Sequence, residues 1–291
     1  MKIGKHTYKH VKPLPYLLLA PVVIYLGFLV FYPFLRSIYL CFFVTNSLGV
    51  PKSFMGFENF KRVFTDPAFL KSLVQTFKFA GLVGAGTFFF AMILALLSVR
   101  ITKGSKIYTT MYAIPMAIAS VPLSALAIFM FQKYGIINIL LGTKFEFLST
   151  TPWALISVAI VTVWSGLGSS FIFLLVGFRN VPDDLIESAV IDGASPLRRI
   201  FSVYIPVASP QIFFVVFLNI VGSFKAFGII KLMVGKGPSD STNILVYAIY
   251  ANAFLRNRFE TACVYSLALC AIIFAVTRIQ LALEKKLVNY S

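Results

Sequence analysis

Six apolar runs dominate the chain, near residues 14–35, 72–99, 107–131, 153–178, 203–234 and 261–283. Each reaches the roughly 20 residues that an α-helix needs to cross the hydrocarbon of a bilayer. Lipid offers no water to bond stray backbone N–H and C=O groups, so such runs must satisfy their own backbone as helices. The pattern predicts an all-α membrane protein with six transmembrane helices. Composition agrees, since 59% of the 291 residues are hydrophobic and only 12% are charged, against roughly a quarter in soluble domains. An ordinary soluble enzyme is excluded.

The formal net charge is +16, from 26 Lys and Arg against 10 Asp and Glu. Many of the basic residues flank the apolar runs, as expected of a polytopic protein meeting charged headgroups rather than nucleic acid. Six crossings place both termini on one side. That side holds thirteen basic residues in short stretches: Lys2, Lys5, Lys9, Lys12, Arg100, Lys103, Lys106, Arg179, Arg198, Arg199, Arg278, Lys285 and Lys286. The longer segments opposite hold nine, from Lys52 to Arg258. Basic residues in short loops stay in the cytoplasm, so both termini are assigned there, in a bacterial plasma membrane. The organisation is a cytoplasmic tail (1–13), one six-span domain (14–283) and a second cytoplasmic tail (284–291). The apolar run after the first tail is too long for a signal-peptide core and lacks a small-residue cleavage site, so the tail is read as retained. Cys41, Cys263 and Cys270 lie in or beside apolar stretches without metal-ligand spacing and read as packing residues. His6 and His10 both lie in the tail, so no His-based catalytic pair or metal site forms within the membrane.

Two outer segments carry pattern. Phe57, Phe60, Val63 and Phe64 recur at helical spacing among Glu58, Asn59, Lys61 and Arg62, predicting an amphipathic helix on the outer membrane surface. The stretch 241–260 mixes aromatic and polar residues and reads as an interfacial or re-entrant segment before the last span.

The inner connection 179–206, between spans four and five, is the most polar segment and holds four of the ten acids. Pro182 followed by Asp183 and Asp184 is a helix start, because proline fits the first turn and carboxylates favour the positive end of the helix dipole. Leu185, Ile186, Ala189 and Val190 supply an apolar face. Asp192-Gly193 signals a sharp turn, and Ser195-Pro196 opens a second helix. A bent helix pair with exposed carboxylates and a basic Arg198-Arg199 pair has the form of a docking element, although solvated helix-turn-helix loops are also common.

The residues Glu187-Ser188-Ala189-Val190-Ile191-Asp192-Gly193, continuing to Ile205-Pro206, closely resemble the cytoplasmic coupling loop of binding-protein-dependent ABC importer permeases. Ser188 replaces the usual alanine of that motif. Leu14-Pro15 through Pro21, Phe31-Tyr32-Pro33, Gly56 to Phe60, Asp66-Pro67, Tyr134 to Asn138, Pro182 to Leu185 and Gly235 to Pro238 fall in the order of the sugar-permease branch, as in its maltose-type and glycerol-phosphate-type first permease. The resemblance implies an importer of two permeases, two ATPase subunits and an external sugar-binding protein. ATP and Mg2+ would be bound by the ATPase, and no cofactor by this chain, which has no GxxxxGK[ST] phosphate loop. It implies coupling to the ATPase through Glu187, Ser188, Ala189, Asp192 and Gly193, with Glu187 in polar contact, Asp192 fixing the turn and Gly193 allowing it.

A sugar path needs polar groups facing a water-filled cavity between the permeases. Span four offers Thr162, Trp164, Ser165, Gly166, Ser169 and Ser170, and span five offers Asn219, Ser223 and Lys225. The resemblance matches the stretches around Trp164 to Gly166 and Asn219 to Ser223 to regions lining the sugar site, with Trp164 expected to stack on a pyranose ring while Asn219 and Ser223 bond hydroxyls; Ser169 and Lys225 join the expected path as polar groups of the same spans. The bland alternative is that small and hydroxylated residues simply pack the helices. Lys225 either snorkels to the interface or faces the cavity and favours an anionic solute. An ion-coupled carrier or a passive channel would also suit six spans, but a coupled carrier usually places an acid within a span, and here none of the ten lies mid-span.

Overall fold

The computed structural model describes residues 14–100 and 104–288. The expected N-terminal tail with its four lysines and two histidines, Lys103, and the last three residues of the C-terminal tail lie outside the described residues. Five helices are long and apolar enough to cross a membrane, and a helix pair bent by 77° supplies a sixth crossing.

The first span runs Leu14–Leu26, widens into a π-helical turn at Gly27–Phe31 and continues as Tyr32–Leu40. The widening sits just before Pro33, which has no N–H for the carbonyl one turn back. Its side chains from Tyr16 to Arg36 are almost all exposed, so this helix shows an apolar surface on every side. The second span, Pro67–Leu97, begins on Asp66, whose Oδ1 accepts the Ala68 N–H at 2.8 Å. The fourth, Trp153–Arg179, is the most buried of the crossing helices.

Three crossings differ from expectation. The third is not one helix over 107–131. It breaks into Ser105–Ala113, a 3₁₀ turn at Ile114–Ala117 and Ser120–Phe131, with an apolar stretch continuing to Leu141. Pro115 ends the first piece, and the turn lies so close to span four that a Cβ on Gly168 would come within 2.9 Å of the Ala113 carbonyl. The fifth crossing, expected over 203–234, is the bent pair Pro196–Val207 and Ser209–Ser223. Pro206 and Pro210 flank the bend, and neither can donate to the preceding turn. That helix ends at Ser223, and a turn at residues 225–227 leads into a separate helix, Gly228–Met233. The sixth span extends over Phe259–Leu287.

Outside the crossings, the surface helix forms as Glu58–Thr65, but its inward face is not the four-residue apolar stripe. Asn59 and Val63 are buried, Phe60 packs beside them, and Phe57 and Phe64 stay exposed. The Asn59 amide donates to the Cys41 and Phe43 carbonyls at 3.0 and 2.9 Å, which turns the helix toward protein. An antiparallel hairpin, Phe43–Thr45 with Pro51–Phe54, precedes it and has no counterpart in the sequence reading. Thr45 and Arg62 meet Glu260 at 2.6 and 3.6 Å, so hairpin and surface helix are tied to the start of the last span. The segment 241–260 contains a buried short helix, Leu245–Tyr250, passing into a π turn at Ala251–Leu255. Thr76 of the second span accepts its first N–H, from Leu245, at 2.8 Å.

Spans two, four and five form the centre. Ala91, Ala95, Phe171, Leu174 and Val215 make one buried cluster there. Small residues permit the close approach, as is usual between helices in lipid: a Cβ on Gly177 would lie 2.7 Å from the Cβ of Gln211. Where span four ends, Arg179 donates from Nη2 to the Ser98 carbonyl at 3.0 Å and from Nε to the Val99 carbonyl at 3.3 Å. One cation thus satisfies carbonyls left over where the second span ends.

Candidate functional site

Spans two, four and five enclose a cavity of about 240 Å³. Span four contributes Thr162, Ser165, Gly166, Ser169 and Ser170 at helical spacing, and span five contributes Asn219, Gly222 and Ser223. These residues share a face because intervals of three and four bring side chains to one side of a helix. Val83 and Thr87 of span two close a third wall, and Phe173, Val215 and Leu218 add apolar surface. Gly166 opens the wall toward span two, where a Cβ would lie 3.4 Å from the Thr87 methyl.

Four of the proposed path residues, Gly166, Ser169, Asn219 and Ser223, therefore come together. The Ser170 hydroxyl bridges the two helices by donating to Asn219 Oδ1 at 3.0 Å, and Asn219 Nδ2 is buried without a hydrogen-bond partner. The other two do not join them. Trp164 projects from another side of span four, between two apolar clefts lined by residues such as Leu123, Ile160 and Val163, so the ring stack expected from it is not placed in this cavity. The 3.6-residue period explains this, because a step of two from Thr162 turns the side chain about 200° around the axis. Lys225 lies beyond the end of the fifth helix, exposed, in a separate groove with Ile249, Leu269 and Ile273 of neighbouring segments. Thr87 and Gly222 were missed by the sequence reading, and a hydroxyl in mid-span two was the available signal.

The inner connection forms the expected bent pair. Asp183–Ile191 is a helix with Asp183 and Asp184 in its first turn. It ends in a Schellman turn: the Gly193 N–H reaches the Val190 carbonyl at 3.0 Å and the Ala194 N–H reaches the Ala189 carbonyl at 2.9 Å. Gly193 sits at φ +73°, the left-handed region open to glycine. Among the described residues no hydrogen bond reaches the Asp192 carboxylate, so backbone bonds and Gly193 make the turn, rather than the Asp192 side chain. Ser195 Oγ then accepts the Arg198 N–H at 3.3 Å and starts the next helix, with Pro196 in its first turn.

The apolar face of this loop is only partly buried. Ile186 and Ala189 are half-buried, whereas Leu185, Val190, Ile191, Leu197 and Phe201 are exposed, Ile191 to 85%. Glu187 and Ser188 are exposed between them, the Ser188 hydroxyl donating back to the Asp184 carbonyl at 2.8 Å. The second helix of the loop is also the first arm of the bent fifth span, Pro196–Val207, so the exposed face is joined through the 77° bend to the arm that carries Asn219 and Ser223.

Residues 87–289 match the family model described as "Binding-protein-dependent transport system inner membrane component". The chain is 31% identical over 284 residues to the sn-glycerol-3-phosphate transport system permease protein UgpA of Agrobacterium fabrum (strain C58), covering 96% of this chain and 97% of the relative. It is 32% identical over 285 residues to the protein of the same name from Brucella suis biovar 1, with the same coverage. A subunit of a bacterial alginate ABC transporter, solved in complex with a periplasmic protein bound to alginate pentasaccharide, superposes with a TM-score of 0.84 at 19% identity, over 96% of each chain. An inward-facing methionine ABC transporter superposes at 0.60 with 13% identity, over 80% of this chain and 99% of that one. A multi-pass helical fold, a family match over most of the chain and relatives matched from end to end place this chain in the family of inner membrane components of binding-protein-dependent transport systems.

Proposed function

We propose that the chain is the permease subunit of an ATP-driven importer that takes up a carbohydrate or related polyol delivered by an external binding protein. A second, homologous permease would close the open side of the polar cavity, and two ATPase subunits would bind ATP and Mg2+ and supply the energy. The permease itself is non-catalytic. Its mechanism is alternating access: the ATPases draw together, the coupling loop is carried with them, and the bent fifth span moves the wall bearing Asn219 and Ser223.

The observation that carries this reading is the exposed loop face. Leu185, Val190 and Ile191 expose apolar surface on Asp183–Ile191, a helix that opens with two carboxylates and is too polar to enter lipid, and this supports a protein-docking role for that face. Glu187 and Ser188 lie between them, available for polar contact with the ATPase, while Ala189 packs inward and Gly193 sets the angle. Both termini and this loop lie on the cytoplasmic side in this reading.

The test is a pull-down of the tagged chain from its native membrane in mild detergent, with partners identified by mass spectrometry. Wild type is expected to retain an ATPase and a second six-span permease, and the variant E187A/G193P to lose the ATPase alone. Recovery of no ATPase by wild type, under conditions that hold other membrane complexes together, would overturn the reading.

A further inference from the structure

The hydrogen-bond bookkeeping of the central cavity selects the charge of what it holds. Its polar lining is six hydroxyls and one amide. Four of the hydroxyls have spent their proton. Thr162 donates to the Val158 carbonyl at 2.7 Å, Ser169 to the Gly166 carbonyl at 3.2 Å, Ser223 to the Ile220 carbonyl at 2.7 Å and Ser170 to Asn219 Oδ1 at 3.0 Å. A hydroxyl has one proton and two lone pairs, so these four present acceptors to the cavity. The Asn219 carbonyl end is taken by Ser170, which leaves its unpartnered Nδ2 as a neutral donor. Only Thr87 and Ser165, which make no hydrogen bond among the described residues, have hydroxyls free to turn either way. Among the described residues no Lys or Arg lines this cavity. The three lysines between span five and the last span are elsewhere: Lys225 faces a separate groove, Lys231 Nζ lies 4.2 Å from the centre of the Tyr250 ring, and Lys236 Nζ lies 3.9 Å from Asp240 Oδ1.

We propose that this wall admits an uncharged polyhydroxyl solute and rejects a phosphorylated or carboxylated one. The inference rests on the cavity being part of the transport path. A sugar or polyol hydroxyl both donates and accepts, so it can give protons to the committed oxygens and take one from Asn219, while its C–H surface lies on Phe173 and Leu218. A phosphate or carboxylate group only accepts. It would meet lone pairs at four positions and no cation, losing its hydration without charge-assisted bonds in return. Relatives carry sn-glycerol-3-phosphate in their names and a solved neighbour is involved in the import of the acidic polysaccharide alginate, so anionic solutes of both kinds belong in the test.

The experiment uses the complete transporter in cells, this chain with its companion subunits and binding protein, and labelled solutes of two kinds. One set is neutral sugars, oligosaccharides and polyols; the other is glycerol-3-phosphate, sugar phosphates and uronate oligomers. Wild type is expected to accumulate a member of the neutral set only. The variants N219D and N219L separate the wall from the binding protein. N219D still accepts hydroxyl protons and is expected to keep neutral uptake within about tenfold of wild type, roughly one lost hydrogen bond, whereas N219L loses more. S170A, a milder change, should raise the half-saturation concentration with membrane abundance unchanged. ATP-dependent accumulation of a phosphorylated or carboxylated solute, with N219D abolishing it by repulsion, would overturn the inference and leave the importer reading intact. A neutral solute whose uptake ignores all three variants would show that the cavity is not on the path. Absence of ATP-dependent import of any solute would overturn the importer reading and this inference with it.

Discussion

Two residues show how much a single position can decide. Gly193 holds φ +73° at the end of the coupling helix, and an L-residue there costs about 1 kcal/mol. G193A is therefore expected to lower the midpoint of thermal unfolding slightly and to weaken ATPase retention markedly, because the second helix is re-aimed. D192N should change neither, since no hydrogen bond reaches that carboxylate among the described residues; a pull-down and a melting curve read both. Asn138 lies buried in the short helix Ile136–Leu141, with Nδ2 donating to the Gln132 and Phe145 carbonyls and Oδ1 accepting from Thr143 Oγ1 and Phe145 N–H. N138A strands all four partners and is expected to cost about 3 kcal/mol, visible as a lower midpoint in detergent. The turn character of Asp192-Gly193 is legible in the sequence because glycine chemistry is local. The role of Asn138 is not, since its partners lie up to seven residues away and only the folded turn brings them to one amide.

At the scale of elements, apolar length predicted the existence of every crossing, and backbone chemistry set where the helices break. Pro33, Pro115 and Pro206 each coincide with a widening, a 3₁₀ turn or a bend. Proline marks a fault in the hydrogen-bond ladder but does not say how the chain repairs it, which depends on the neighbouring helix. The C-terminal ends of spans two and four are joined through Arg179 and the carbonyls of Ser98 and Val99. R179A should free those carbonyls and speed hydrogen exchange over residues 94–99, while exchange in the outer half of span two stays unchanged; R179K, with one donor head instead of a fork, should fall between. The surface helix makes the complementary case. Its period was correct, but its inward face was set by Asn59 bonding to the hairpin, a tertiary contact that overrides the apolar stripe.

For the whole molecule, the packing of spans two, four and five builds the cavity, and spans four and five are the two that the loop over residues 180–195 connects. G177L places a side chain where Gln211 already stands 2.7 Å from the glycine's Cβ position, so spans four and five should separate and the protein should fail to elute as a single species. Gly222 lines the cavity and has nothing within 4 Å of its Cβ position, so G222L should fold normally yet block uptake. The sidedness is tested with a membrane-impermeant thiol reagent: S188C is expected to label only from the cytoplasmic side and L48C only from outside, since three crossings separate them. The lipid solvent of this chain, its apolar crossing segments and the helix-turn-helix over residues 183–199 are legible in the residues alone, because hydrophobic length, proline, glycine and capping chemistry act within a few residues. The sequence also gathered Gly166, Ser169, Asn219 and Ser223 as candidates by type. That these four share one cavity while Trp164 and Lys225 face elsewhere came from the packing of the helices against one another. The side on which a helical residue faces depends on how its helix is rotated against its neighbours, and that rotation is set by contacts between segments far apart in the chain.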